Sequence, residues 1–261
     1  MKVTQLTDAQ TNLAIFRGQD PGRVLWQPRL EFWYEVNKKR GMLPAHLKDA
    51  SLNDLYDYCH ASIRYFTNPL CVRYHDVEIH DQWLDDKSKQ VTWETPVGTL
   101  TEVFHYDEWN LSCYNREYRL KTPHDFAIWE YVLQHEEWWW DHKTFKRDMQ
   151  RVAGRGAAQL YFRRSPIQGL FIENMGFEST VFMMTDHPEV IERYVEVATA
   201  ADDAFYQVLC NCPVEILNYG ENIDHHMDSP TIWRQWLLPY YQKRVAQLHA
   251  AGKKTYIHVD G

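Results

Sequence analysis

No run in this chain of 261 residues approaches the ~20 consecutive apolar positions that a membrane-crossing helix needs. The opening stretch, MKVTQLTDAQTNLAIF, also lacks the continuous apolar centre of a secretory signal. The expectation is a cytoplasmic protein that does not enter a membrane. Cysteine is sparse: Cys59, Cys71, Cys113, Cys210 and Cys212 are odd in number and scattered, which suits reduced thiols and argues against a disulfide framework. Positive charge is short too. With 28 Lys and Arg against 36 Asp and Glu, the formal net charge of −8 gives no support for a nucleic-acid partner. No Gly-rich phosphate fingerprint follows the first strand-like segment, which disfavours a dinucleotide-binding sheet. The stretch HEEWWWDH lacks H-E-x-x-H spacing and G-x-S-x-G is missing, so neither a zincin nor a nucleophile-elbow hydrolase is indicated.

Aromatic residues, by contrast, are plentiful. Eleven Trp, 16 Tyr and 11 Phe make up 15% of the chain, enough for a bulky core or for an aromatic-lined pocket. Helical and extended patterns take turns along it. Asp8 is placed to cap AQTNLAIFRG, RVLWQPRLEFWY reads as a strand, and Ser51 with Asp54 resembles a capping box that opens a helix. CVRYHDVEIHD follows as a strand, and residues 90–106 alternate around Pro96-Val97-Gly98 as an inserted β-hairpin. TPHDFAIWEYVLQHEEWWWD is expected to be helical, and AAQLYFRRSPIQGLF carries a strand into a loop. Asp186 and Glu189 frame a further capping box before a long helix that Pro213 stops, and VEILNYGENID is a strand. A helix opened by Ser229-Pro230 then leads to the strand KKTYIHVDG.

Repeated strand–helix units predict an α/β protein with a parallel sheet, and a single (β/α)8 TIM barrel over 1–261 is the favoured form. About five core strands are visible where a closed barrel needs eight. The expectation is therefore an N-terminal portion of such a barrel, lacking its C-terminal strands, or a fold that a further segment completes. In that architecture the chemistry sits at the carboxyl ends of strands. His258 and Asp260 end one strand, and Glu221, Asn222 and Asp224 end the one before it. An H-x-D pair points both side chains to one face, as joint metal ligation requires, although a structural hydrogen bond for His258 stays open on spacing alone. Of the paired arginines at 163 and 164, one can face the strand ends and grip a carboxylate. Cys210-x-Cys212 sits at the opposite rim and reads as packing.

The segments LTDAQTNLAIFRGQDPGRV, TPVGTLTEV, SPIQGLFIENMGFESTVFMMTDHPEVIERYVE and the last 40 residues resemble the uroporphyrinogen decarboxylase superfamily, which includes zinc-dependent, corrinoid-linked methyltransferases. Decarboxylases of that group carry R-Q-A-G-R-Y near the first strand. The matching stretch here is WQPRLEFWYEV, in which only Arg29 keeps the pattern, so the methyltransferase branch is the nearer one. That branch carries H-x-C at the final strand of this chain, where His258 is in register but Asp260 replaces the cysteine.

On this resemblance the expectation is zinc held by His258 with Glu221 and, as an option, Asp260, with Glu221, His258 and Tyr219 as the catalytic set and Arg29, Trp33, Arg163 and Asn222 binding substrate. Replacing a thiolate by a carboxylate leaves the ion a stronger Lewis acid and suits an oxygen substrate. The implied reaction is transfer of a methyl group from a small methylated compound, an aryl methyl ether among the options, to a corrinoid protein. Tyr219, Trp26, Trp33 and Arg29 would line the aryl pocket. Two alternatives stand beside it: a metal-free decarboxylase or lyase using Arg29 and one of the paired arginines, and a non-catalytic barrel subunit. A homodimer is left open.

Overall fold

The computed structural model describes residues 6–107 and 111–261. Its helices are α1 (Asp8–Phe16), α2 (Leu30–Lys39), α3 (Leu52–Tyr58), α4 (Pro123–Gln134), α5 (His142–Val152), α6 (Pro166–Gly169), α7 (Phe177–Asp186), α8 (Pro188–Asn211), α9 (Pro230–Ile232) and α10 (Leu238–Ala250). Its strands are β1 (Leu70–Tyr74), β2 (Glu78–Trp83), β3 (Ser88–Thr95), β4 (Gly98–Asp107), β5 (Ser112–Glu117), β6 (Glu136–Trp140), β7 (Gln159–Phe162), β8 (Ile216–Ile223) and β9 (Lys254–Val259).

These strands form three separate sheets and no barrel. β1 and β6 pair antiparallel, β2-β3-β4-β5 form an antiparallel meander, and only β7-β8-β9 are parallel. The barrel expectation is corrected for two local reasons. RVLWQPRLEFWY does not extend: Pro28 cannot donate to a ladder, and from Leu30 the chain turns helical. In α2, Leu30 and Tyr34 fall four residues apart on one face, pack against Leu52 and Leu55 of α3, and Tyr34 donates its hydroxyl to the Ala50 carbonyl at 2.7 Å. CVRYHDVEIHD also breaks, at Asp76, whose φ of 55° turns the chain out of β1 before β2 begins. A parallel set of three strands cannot close on itself.

Smaller corrections follow the same logic. Thr7, not Asp8, caps α1: its hydroxyl accepts from Gln10 N–H at 3.2 Å while Gln10 Oε1 accepts from Thr7 N–H, and Asp8 instead pairs with Arg23. Ser51 and Asp54 do form the capping box read from their spacing. Asp186 ends α7, and His187, which precedes α8, makes no side-chain cap. HEEWWWD leaves the helix as β6, its bulky aromatics set against β1. Thr7→Ala should lower stability by about 1 kcal/mol, the usual worth of such a cap, as read from urea unfolding midpoints.

The core lies between the parallel sheet and the helices. α8 packs on α4, β6, α7 and α10, and Leu160, Phe162, Leu217 and Tyr219 of the sheet join Ile191, Phe205, Tyr206 and Leu209 of α8 in one buried cluster. This arrangement fixes which side of each parallel strand is dry. Among the described residues no helix is long and apolar enough to cross a membrane.

Candidate functional site

Register decides which side chains meet at the carboxyl ends of β7, β8 and β9. Tyr161 pairs with Asn218 and Phe162 with Tyr219, and on the other edge Asn218 pairs with Tyr256 and Tyr219 with Ile257. Alternation then sends Phe162, Tyr219 and Glu221 toward α8 and α10, and Tyr161, Asn218, Tyr256 and His258 to the opposite face. Beyond Tyr219 the register slips, so that Ile223 faces Val259. An even slip keeps each side chain on its own face. Gly220 allows the strands to approach here, since a Cβ at that position would lie 2.2 Å from the Phe162 carbonyl oxygen.

On the helix side, Glu221 is fully buried. Its Oε1 accepts the Ser165 N–H at 2.7 Å, while Oε2 has no partner among the described residues. Burial pushes this carboxyl up to about 7, against the opposing pull of the Ser165 N–H. Tyr241 lies over the ring of Tyr219, its hydroxyl is 3.4 Å from Ser165 Oγ, and burial and then the charge of Glu221 hold its phenol above the usual range. Tyr219 is buried, and burial raises its phenol as well. Ser165 also forms part of the wall of a cavity of about 220 Å³, with Arg164, Glu173, Trp129, Trp138 and Tyr74 around it.

On the other face a polar chain crosses the strand ends. Arg164 donates to Glu173 Oε1 at 2.6 Å and to Asn222 Oδ1 at 2.5 Å. Asn222 in turn donates to Asp260 Oδ2 at 2.7 Å, and Asp260 Oδ1 lies 3.1 Å from His258 Nδ1. Below it, Tyr65, Tyr256, Asn218 and Gln159 share hydrogen bonds of 2.6–2.7 Å. Arg29 borders an open cleft of about 400 Å³ on this side with Tyr65, Thr67, Asn68 and Tyr161, and is paired to Glu31 at 2.8 Å.

The structure therefore brings Asn222, Asp260 and His258 together and places Glu221 with Tyr219 behind them. By strand alternation Glu221 points to the face opposite the His258–Asp260 pair. Glu221, His258 and Asp260 do not form a convergent donor set, although groups of three donors within 4.8 Å of one another occur elsewhere among the described residues. The trio does not fit a zinc ion. Trp33 and Trp26 are exposed. Arg163 turns into the helix side, where Glu136 accepts from Nη1 at 2.7 Å and Asp202 from Nη2, so Arg164 is the arginine at the strand ends. Ser165 and Tyr241 were not singled out from sequence; Ser165 stood in plain view as the residue between the arginine pair and Pro166, but Tyr241 is helical and carries no local signal.

No protein-family model matches the chain, and no curated protein matches it. Among solved structures, a methyltransferase from Methanosarcina mazei is similar over 98% of this chain and 70% of that one, at 12% identity and a TM-score of 0.49. A likeness of that size leaves the reaction to be argued from the residues.

Proposed function

We propose that the chain takes part in methyl transfer from the oxygen of a small methyl ether, with Glu221 supplying the proton that the leaving oxygen needs. The supporting observation is the buried Glu221 carboxyl at the end of β8, with one oxygen fixed by Ser165 N–H and the other unengaged. A carboxyl that titrates near 7 is protonated for a useful fraction of molecules at neutral pH and gives up its proton readily. Ser165 touches both this group and the cavity, and its hydroxyl beside Tyr241 offers a relay between them. The cavity walls of Trp129, Trp138 and Tyr74 suit an apolar ring or chain.

The bookkeeping of the step is simple. The C–O bond breaks, its electron pair stays on oxygen, the proton from Glu221 converts that oxygen to a hydroxyl, and the methyl group leaves to an acceptor. A reduced corrinoid on a separate protein, the acceptor implied by the resemblance to the superfamily that includes corrinoid-linked methyltransferases, supplies the electron pair for the new carbon bond. Decarboxylation is the weaker choice because Arg29, Arg163 and Arg164 are all engaged by carboxylates of the chain itself. Incubating the protein with a panel of methyl ethers and free cob(I)alamin should release the corresponding alcohol or phenol with equimolar methylcobalamin. A panel that includes anisole-type and aliphatic ethers yielding neither product would sink the proposal.

A further inference from the structure

The carboxyl end of β8 continues into a turn that plays no part in the proton-donor reading, Asp224-His225-His226. Asp224 Oδ1 accepts the His226 N–H at 2.7 Å, and the Asp224 carbonyl accepts from Met227 and Asp228 at 3.1 and 2.7 Å. The turn has a hydrogen-bonded base: the Asp228 carboxylate accepts from Asp224 N–H at 3.1 Å, and its two oxygens accept from Nε2 of buried Gln168 at 2.6 and 2.8 Å. Above that base the two imidazoles lie side by side, ring centroids 3.8 Å apart at 39°. One donor atom from each of Asp224, His225 and His226 falls within 4.8 Å of the other two.

We infer that this turn is a binding site for a divalent metal of the zinc class. Two neutral imidazoles and one carboxylate are the donor types that zinc takes from proteins in open sites, where a fourth position is left to water or ligand. Asp224 Oδ2 is the oxygen available, because Oδ1 is committed to the His226 N–H. Both histidines are exposed, so the ion reaches them from solvent without displacing packed side chains. A second group of three, Glu78, His80 and Glu94, lies on the meander. There His80 Nε2 already stands between the two carboxylates at 3.5 and 3.9 Å, and the set offers a single nitrogen. Harder ions would be its natural guests, and zinc should prefer the turn. The inference is independent of whether the chain transfers methyl groups.

Calorimetric titration of the full chain with zinc chloride at pH 7.5 is expected to show one equivalent bound, with a zinc-dependent rise in Tm. His225→Gln and Asp224→Asn should each weaken binding by at least about 10-fold, the loss that even outer-sphere partners of a metal produce, and His80→Gln should leave it unchanged. Cobalt substitution should give visible d–d absorption that both turn variants lose. Zinc affinity unchanged in His225→Gln/His226→Gln, or lost in His80→Gln or in His258→Gln instead, would overturn the assignment, as would no binding up to millimolar zinc. Because the turn side chains are exposed, zinc-free melting curves of the variants should overlay the wild type.

Discussion

Arg163→Met is expected to lower the unfolding free energy by about 3–5 kcal/mol, the usual result of leaving buried carboxylates without their cation, and to drop Tm by roughly 10 °C in a chain of this size. The arginine is held by Glu136 and Asp202, whose side chains are only 5% and 4% exposed, and its own is 22% exposed. Trp138 and Phe205 cover the guanidinium from 5.0 and 4.9 Å. Burial alone would push that group down, but Asp202 and Glu136 carry it above its ordinary value, so it stays charged at any working pH. Methionine replaces the stem but cannot donate to either carboxylate. Adding Glu136→Gln and Asp202→Asn to Arg163→Met should recover much of the stability, since the cost comes from unpaired charge and not from lost volume. A triple variant as unstable as the single would show that packing, not charge, is what Arg163 supplies.

Much of the fold was legible because its signals are local. Ser51 and Asp54 announce a helix start through a hydrogen-bond geometry complete within four residues, and Pro188 to Pro213 bracket α8 by what proline forbids. The three parallel strands were readable from apolar runs ending in polar residues. What misled was RVLWQPRLEFWY and HEEWWWD, where bulky aromatic residues satisfy a helix face and a strand face alike. Burial of Tyr34 against α3, and of Trp138 against Phe205, decides between them, and both contacts are remote in sequence. The candidate site was half legible for a related reason. Residues 218–224 and 256–260 were visible as strand ends, but their division between two faces depends on register and on an even slip after Tyr219 that no spacing rule reveals. Arg163 and Arg164 are neighbours whose opposite directions follow from that same alternation.

Glu221→Gln is expected to abolish most methyl transfer and to change how stability depends on pH. The proton is bound more tightly in the folded chain, where burial places the carboxyl at about 7, than in the unfolded chain near 4.5. Its contribution is therefore fully present below about pH 4.5, falls as pH rises between the two values, and is gone above 7, a swing of about 3 kcal/mol at 1.36 kcal/mol per pKa unit. Glutamine keeps an oxygen for the Ser165 N–H but carries no titrating proton. Across pH 5 to 8 the wild type should lose about 2.5 kcal/mol more than the variant, since part of the swing already lies below pH 5, measured as the difference in urea unfolding free energy at each end. Turnover with a methyl ether should fall by about 100-fold or more, the scale of a lost general acid, and the decline of wild-type activity above pH 7 should disappear from what remains. Parallel pH–stability curves for the two proteins would place the Glu221 carboxyl back in the ordinary acid range. Unchanged turnover beside divergent curves would keep its buried state and remove it from the chemistry.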